Sequence, residues 1–263
     1  MMMRDGFPGL LKRWRTSRRL SQEQLALDAE ISTRHLSYLE TGKSKPSREM
    51  VLLLASALEL ELKERNVMLT SAGFAPVYTS SAFESLELAP VRRAIELLLQ
   101  QQEPYGAVLV DRCWNVLRMN QGAMRMLGHF VDPATVEPRV ATNVVRAVLH
   151  PGGMRPFLVN WLEVAQVALE RLERECTTFP TDEARRALLD EVRQYPGVEA
   201  ISASTPATGA PVSLVHLRRG DDELRLFTML TTIGTPLDVT AQELTLESYF
   251  PADEATERWI RGG

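Results

Sequence analysis

Three serines, Ser21, Ser32 and Ser47, each stand immediately before a helical pattern, and together they confine the front of the chain to short, separately capped helices. Ser21 with Gln24 three residues on has the form of a capping box and opens a second helix of about two turns through Leu25, Ala26 and Ala29. Ser32 opens a third. Its Ile31, Leu36 and Leu39 gather on one stripe, while Thr33, Arg34, Ser37 and Glu40 fall on the other side at helical spacing. That outer side is polar, small and partly basic, and can approach base edges closely; Arg pairs with guanine, and Ser or Thr reaches several bases. Gly42 stops the helix and Pro46 forbids its continuation, which leaves Lys43, Ser44 and Lys45 on an exposed basic loop. Before these elements a basic amphipathic first helix carries Leu10, Leu11 and Trp14 and ends near Leu20; after them come an apolar fourth helix, MVLLLASAL, and a fifth from Leu62 to Ala72. Two short helices joined by a tight turn, the second with an exposed polar face, are a helix-turn-helix.

Charge divides along the same line. The net value of −4 argues against a nucleic-acid binder only until it is split: through Leu54 there are ten basic and six acidic residues, leaving 20 basic and 28 acidic in the remainder. Every lysine lies at or before Lys63. A cationic module that meets phosphates is thus followed by an acidic body that does not. At roughly 150 residues per domain, 263 residues suggest two, and 44% hydrophobic with 24% charged is ordinary for a globular protein. No apolar run approaches the roughly 18 residues of a membrane helix, and MMMRDGFPGL lacks the apolar centre of a secretion signal, so the expected location is cytoplasmic. Cys113, Cys176 and the four histidines have no metal-ligand spacing.

The head, LSQEQLALDAEISTRHLSYLETGKSKPSREMVLLLASALEL, closely resembles the xenobiotic-response-element (Cro and phage-repressor-like) family of bacterial helix-turn-helix domains over about 60 residues. The resemblance rests on SQEQLA, the IS before the third helix, the LE and Gly42 after it, and the proline and leucine-rich fourth helix. It implies a phosphate contact for Gln22 and base contacts for Thr33, Arg34 and Ser37, with Ser32 at the margin. Lys43, Ser44 and Lys45 would grip the backbone, positioning without specifying. Tyr38 is expected to pack, with its hydroxyl near the DNA.

Beyond a linker from Pro76 to Leu88 and a helix from Val91 to Gln101, YGAVLV and CWNVLRM read as a hairpin about Asp111 and Arg112. Helices follow at Asn120 to Gly128, Asn143 to Leu149, Arg155 to Cys176 and Asp182 to Tyr195, and SASTPATGAP has no periodicity. VSLVHLRR, ELRLFTMLTTI and AQELTLESYF are strand-rich, completing an antiparallel sheet with helices on one face, and DEATERWIRGG closes with a single turn. The expected class is α+β: an all-α five-helix helix-turn-helix head over residues 1–75, a linker and connecting helix over 76–103, and a PAS-like domain with about five antiparallel strands and several helices over 104–263.

This body resembles the ligand-binding domain of the MmyB-like transcription regulators, on VLVDRCWNVLRMNQGA, NVVRAVLHP, NWLEVAQVALERLE, FPTDEARRALLDEV and TTIGTPLDVTAQELTLESYFPAD. It departs in the run after Tyr195, which lacks an aromatic and basic stretch of many members. The resemblance implies a lipophilic ligand, fatty acid-like, in a PAS-like half. Flexible Met124 and Met229, with Met119, Met126 and Met154, suit a variable apolar cavity, and Trp114, Phe157 and Trp161 could wall it. Arg118 and Arg146 lie in apolar stretches where a cation needs a partner, such as a carboxylate head group. Asn120 and Asn143 read as helix caps. No Gly-rich phosphate loop, nucleophile elbow or HExxH occurs, and the pairs Asp182-Glu183 and Asp190-Glu191 read as solvated. The expectation is a ligand-responsive, non-enzymatic regulator acting as a homodimer on double-stranded DNA, with no cofactor beyond the acyl ligand. The alternative is a constitutive DNA-binding regulator whose second domain only dimerises.

Overall fold

The computed structural model describes residues 6–132, 134–201 and 212–262, and the SASTPATGAP stretch lies outside them. The chain divides into two compact units: residues 1–82 with 175–183 and 235–242, and residues 83–174 with 184–234 and 243–263.

The first unit is built on five helices, α1 (Phe7–Ser17), α2 (Gln22–Asp28), α3 (Thr33–Glu40), α4 (Arg48–Ala57) and α5 (Leu62–Ser71). Ser21, Ser32 and Ser47 cap α2, α3 and α4 by accepting from the backbone N–H three residues on. The capping box at Ser21 is only half made, because the Gln24 amide turns forward to Asp28, 2.8 Å away, instead of back to the cap. Leu11, Trp14, Leu25, Leu36, Leu39, Leu54 and Met68 are fully shielded in one core. Each such side chain contributes about 1.5–3 kcal/mol of transfer free energy. The segment 235–242 joins this unit through Asp238: its carboxylate accepts from the Thr79 hydroxyl at 2.8 Å and the Ser81 N–H at 3.0 Å. Gln242 accepts from the Leu62 N–H at 2.7 Å, at the start of α5.

In chain order the remaining elements are α6 (Ala89–Gln101), β1 (Ala107–Val110), β2 (Val116–Met119), α7 (Gln121–Phe130), α8 (Pro138–Ala141), α9 (Val144–Leu149), α10 (Trp161–Thr178), α11 (Glu183–Val192), β3 (Val215–Arg219), β4 (Asp222–Thr232), α12 (Val239–Gln242), β5 (Thr245–Pro251) and α13 (Glu254–Arg261). The five strands form one antiparallel sheet in the order β2-β1-β5-β4-β3. Its core strand β1 is buried along its whole length, which requires cover on both faces. Leu109 packs with Ile95 and Leu99 of α6 and with Leu244 and Leu246, whereas its neighbour Val108 faces the opposite way, towards α7, α9 and α10. Helices therefore cover both faces rather than one.

Asn120 is the junction of the second unit. Its side-chain oxygen accepts from the N–H groups of Ala107 and Ala123, both at 2.9 Å, and its amide donates to the carbonyls of Leu99 at 3.1 Å and Tyr105 at 2.8 Å. One buried side chain thereby ties the end of α6, the start of β1 and the cap of α7. Gly122 follows because a Cβ there would stand 2.4 Å from the Pro104 carbonyl.

Several boundaries differ from the spacing: α7 runs on to Phe130, α11 spans only Glu183–Val192, and Ala241 and Gln242, expected to open the last strand, end α12 instead. The long helix starts at Trp161, not Arg155, because Pro156 sits in a separate 3-10 turn and Leu158 leaves it in extended backbone. The tail is two helical turns, with Asp253 accepting from the Thr256 N–H and Gly262 ending it at φ 98°.

Candidate functional site

In the helix-turn-helix, α2 and α3 are joined through Glu30, whose φ of 52° turns the chain between them. Thr33 and Arg34 are exposed and Ser37 is half-buried. Ser32 is spent on the cap, accepting from the His35 N–H at 3.2 Å. Tyr38 completes the outer surface: the Arg34 Nε donates to its hydroxyl at 3.0 Å, and the Arg34 guanidinium and the Lys43 ammonium lie 5.4 and 5.7 Å from its ring centroid. Gly42, at φ 73°, stops α3 and lets the chain turn into Lys43, Ser44 and Lys45.

Glu40 departs from the outer face that its spacing suggested. Its side chain is 2% exposed and is gripped by Arg15 of α1, with Nε at 2.6 Å and Nη2 at 3.0 Å. Gln22 of α2 donates to the same carboxylate at 2.7 Å. Burial alone would push this carboxyl up, but Arg15 and Gln22 together hold it below the usual carboxylate range, and Glu40 raises Arg15 in return. One amide N–H of Gln22 is used here, so the residue expected to touch phosphate is oriented from behind.

In the second unit a cavity of about 200 Å³ opens on the face of the sheet opposite α6. β1, β2, β3, β4 and β5 supply Val108, Met119, Leu217, Leu226 and Tyr249, and α7, α9 and α10 supply Met126, Val148 and Val164. The lining is chiefly aliphatic, with methionines at two walls. Trp114 is placed in it by the hairpin loop. Asp111 accepts from the N–H groups of Cys113 at 2.8 Å and Asn115 at 3.0 Å, and the loop that it closes holds Trp114 at φ 64°, where a bulky residue is strained. Asn143 caps α9 and ties it to this loop by donating to the Cys113 carbonyl at 2.7 Å.

Glu247, Thr228, Tyr249 and Arg171 make one polar side of the cavity, and Asn143 and Ser213 are further polar residues in its lining. Glu247 and Thr228 sit with Tyr249 on adjacent strands, Thr228 being paired with Tyr249. The Tyr249 hydroxyl donates to Glu247 at 3.2 Å, and Arg171 of α10 lies over the Trp114 ring at 4.3 Å. Burial raises the Glu247 carboxyl, against the lowering influence of Tyr249, Arg171 and Thr228, and burial beside Glu247 raises the Tyr249 phenol strongly.

Of the ten residues singled out for the cavity, Trp114, Met119, Met126 and Met154 line it and the other six lie elsewhere. Strand alternation explains two: Met119 and Thr228 face the cavity, so Arg118 and Met229 point away, Arg118 pairing with Glu84 over Phe83 and Met229 standing exposed. Met124 is on the outer side of α7. Arg146 makes a two-point ion pair with Glu191 at 3.0 and 2.7 Å, whose carboxylate also receives the Tyr195 hydroxyl at 2.5 Å. Burial first, and Glu191 second, push that phenol up to about 12. Phe157 packs on Phe130, and Trp161 donates to the Val148 carbonyl at 3.1 Å while stacking under Arg155. Of the missed residues, Arg171 carried a signal, an Arg on a helix otherwise read for its Leu and Ala, whereas Glu247 carried none, because it alternates with Thr245 and Tyr249 while Leu246 and Phe250 mark the other face of the strand. Nor are the acidic pairs all solvated, since Asp182 is buried 3.6 Å from Lys63 and Glu191 is engaged as above. Among the described residues no helix is long and apolar enough to cross a membrane, and no group of three or more His, Cys, Asp or Glu is placed to hold a metal ion.

A DNA-reading helix-turn-helix followed by a domain with an internal cavity defines a transcription regulator with a ligand-binding half. Residues 11–64 match the helix-turn-helix family, and residues 91–261 match the family described as the MmyB-like transcription regulator ligand binding domain. The chain belongs to the MmyB-like transcription regulators; it is a DNA-binding regulator that carries a ligand-binding domain. No curated protein sequence matches it. A solved structure described as that of an RNA-binding light-oxygen-voltage receptor aligns with 95% of this chain and 60% of its own, at 11% identity and a TM-score of 0.27. The chain thus spans about three fifths of that protein's length.

Proposed function

We propose that this regulator binds operator DNA as a homodimer and responds to a lipophilic, fatty acid-like acyl compound held in the cavity of its second unit. The observation that carries the ligand half is the cavity itself, about 200 Å³ with aliphatic walls and a polar patch at one side. The five-stranded antiparallel sheet, with helices between its first hairpin and its last three strands, supports the PAS-like reading. On the DNA side, Thr33, Arg34 and Ser37 face base edges, Gln22 meets a phosphate, and Lys43, Ser44 and Lys45 hold the backbone. Ser32 contributes through its cap. One such helix reads only a few base pairs, so two copies facing half-sites roughly 34 Å apart supply useful affinity. The ligand changes operator affinity by as much as it prefers one dimer arrangement over the other.

Selection of bound duplexes from a random pool, with and without an extract of cellular lipids, tests both halves. A two-fold symmetric site whose enrichment changes with lipid is expected. Native mass spectrometry of the purified protein should show retained acyl mass; bare protein with unchanged operator selection would favour a constitutive regulator whose second unit only dimerises.

A further inference from the structure

We propose that the cavity selects an uncharged lipophile bearing a hydrogen-bond donor, a hydroxyl or an amide N–H, and discriminates against a free carboxylate, with Glu247 as the residue that receives the head group. This rests on the reading of the cavity as the ligand site, and narrows the fatty acid-like occupant proposed above to its neutral relatives.

Glu247 is 8% exposed and lies in the cavity lining in the middle of β5, opposite Val108 on β1 and Leu230 on β4. Its partners are arranged around its carboxyl as donors: the Tyr249 hydroxyl at 3.2 Å, the Thr228 hydroxyl, and the positive charge of Arg171. Thr228, Tyr249 and Arg171 line the cavity as well, so the patch as a whole is one carboxyl with its supporting donors. A carboxyl has about four acceptor positions, more than these neighbours fill, which leaves acceptor capacity on the cavity side for an incoming O–H or N–H.

A fatty acid carboxylate has no donor to offer this group. It would bring a second negative charge to Glu247 among aliphatic walls, where the repulsion is poorly screened. Arg171 does not reverse the preference, because its charge already acts on Glu247 and its guanidinium stacks on Trp114. A second carboxylate would have to share that cation with a group fixed in the sheet. Burial raises the Glu247 carboxyl, and a second anion beside its ionised form would raise it further, so a carboxylate enters only against repulsion or with the uptake of a proton.

The test uses the full-length protein at pH 8 and displacement of the neutral dye N-phenyl-1-naphthylamine by decan-1-ol, decanamide and decanoate, which share a chain length. Decan-1-ol or decanamide is expected to displace the dye at concentrations at least tenfold below decanoate. Glu247→Gln removes the charge while keeping the shape, and should narrow that ratio to within about threefold, mainly by improving decanoate. Decanoate binding as well as or better than both neutral probes in the native protein would overturn the head-group assignment while leaving the cavity as ligand site intact; this comparison needs no variant to fold. If neither the dye nor any probe binds, the ligand-cavity reading itself fails and the head-group assignment falls with it.

Discussion

Replacing Arg15 by Met tests whether the helix-turn-helix is held by the carboxylate behind it. Glu40 is 2% exposed and Arg15 12%, so the variant strands a shielded carboxylate. Removing one member of a fully buried pair costs about 3–5 kcal/mol. Two features reduce that value: Arg15 retains some contact with water, and Gln22 continues to donate to Glu40 at 2.7 Å. The expected loss is about 2–3 kcal/mol at pH 7. The double variant Arg15→Met with Glu40→Leu removes both charges and should recover most of this, to within about 1 kcal/mol of the native protein. Hydrogen exchange of peptides spanning α1 and α3, followed through a urea series on the full chain, reads the first unit locally. The pH dependence has a definite sign. Glu40 titrates below its ordinary value of 4.5 in the folded protein, so its stabilisation is complete above pH 4.5 and is lost as pH falls through the lower folded value. The gap between native protein and Arg15→Met therefore closes in acid. A cost under about 0.5 kcal/mol, or a double variant no better than the single one, would refute the assignment.

Arg34→Ala should weaken binding to the best operator by about 1–3 kcal/mol and flatten its base preference, whereas Lys43→Ala should weaken operator and random duplex alike and reduce the salt slope by about one; gel-shift titrations on both duplexes separate the two. Asn120→Ala leaves two buried N–H groups and two carbonyls without their partner and should cost about 3 kcal/mol or more by chemical denaturation; Asn120→Asp, which cannot donate to the Leu99 and Tyr105 carbonyls, should be no better. Gly122→Ala drives a Cβ against the Pro104 carbonyl and should lower the melting temperature of the full chain, while Gly128→Ala, with nothing near its Cβ, should leave it unchanged or raise it, as scanning calorimetry would show.

The five front helices were legible because their caps and apolar repeats are local: Ser21, Ser32 and Ser47 act on atoms three residues away. Glu40 was not, because its spacing matches the outer face and the reason that it turns inward, Arg15, stands 25 residues earlier. The same holds for Arg118 and Arg146, which look like cations awaiting a ligand until Glu84 and Glu191 are brought to them by the fold. The five strands were visible as apolar or alternating runs, but which face of each meets the cavity was fixed by pairing register. Hence Met119 was separable from Arg118, and Thr228 from Met229, only once β2, β1, β5 and β4 were aligned. The cover on both faces of the sheet was likewise written in β1, whose unbroken AVLV cannot leave either side wet.

β5 presents Glu247 to the cavity and Leu246 to the layer containing α6, one peptide apart. A guest bonded to that carboxyl would stand one residue from a side chain packed with Ile95 and Leu99, so the shortest covalent path between the two faces of the sheet is a single peptide.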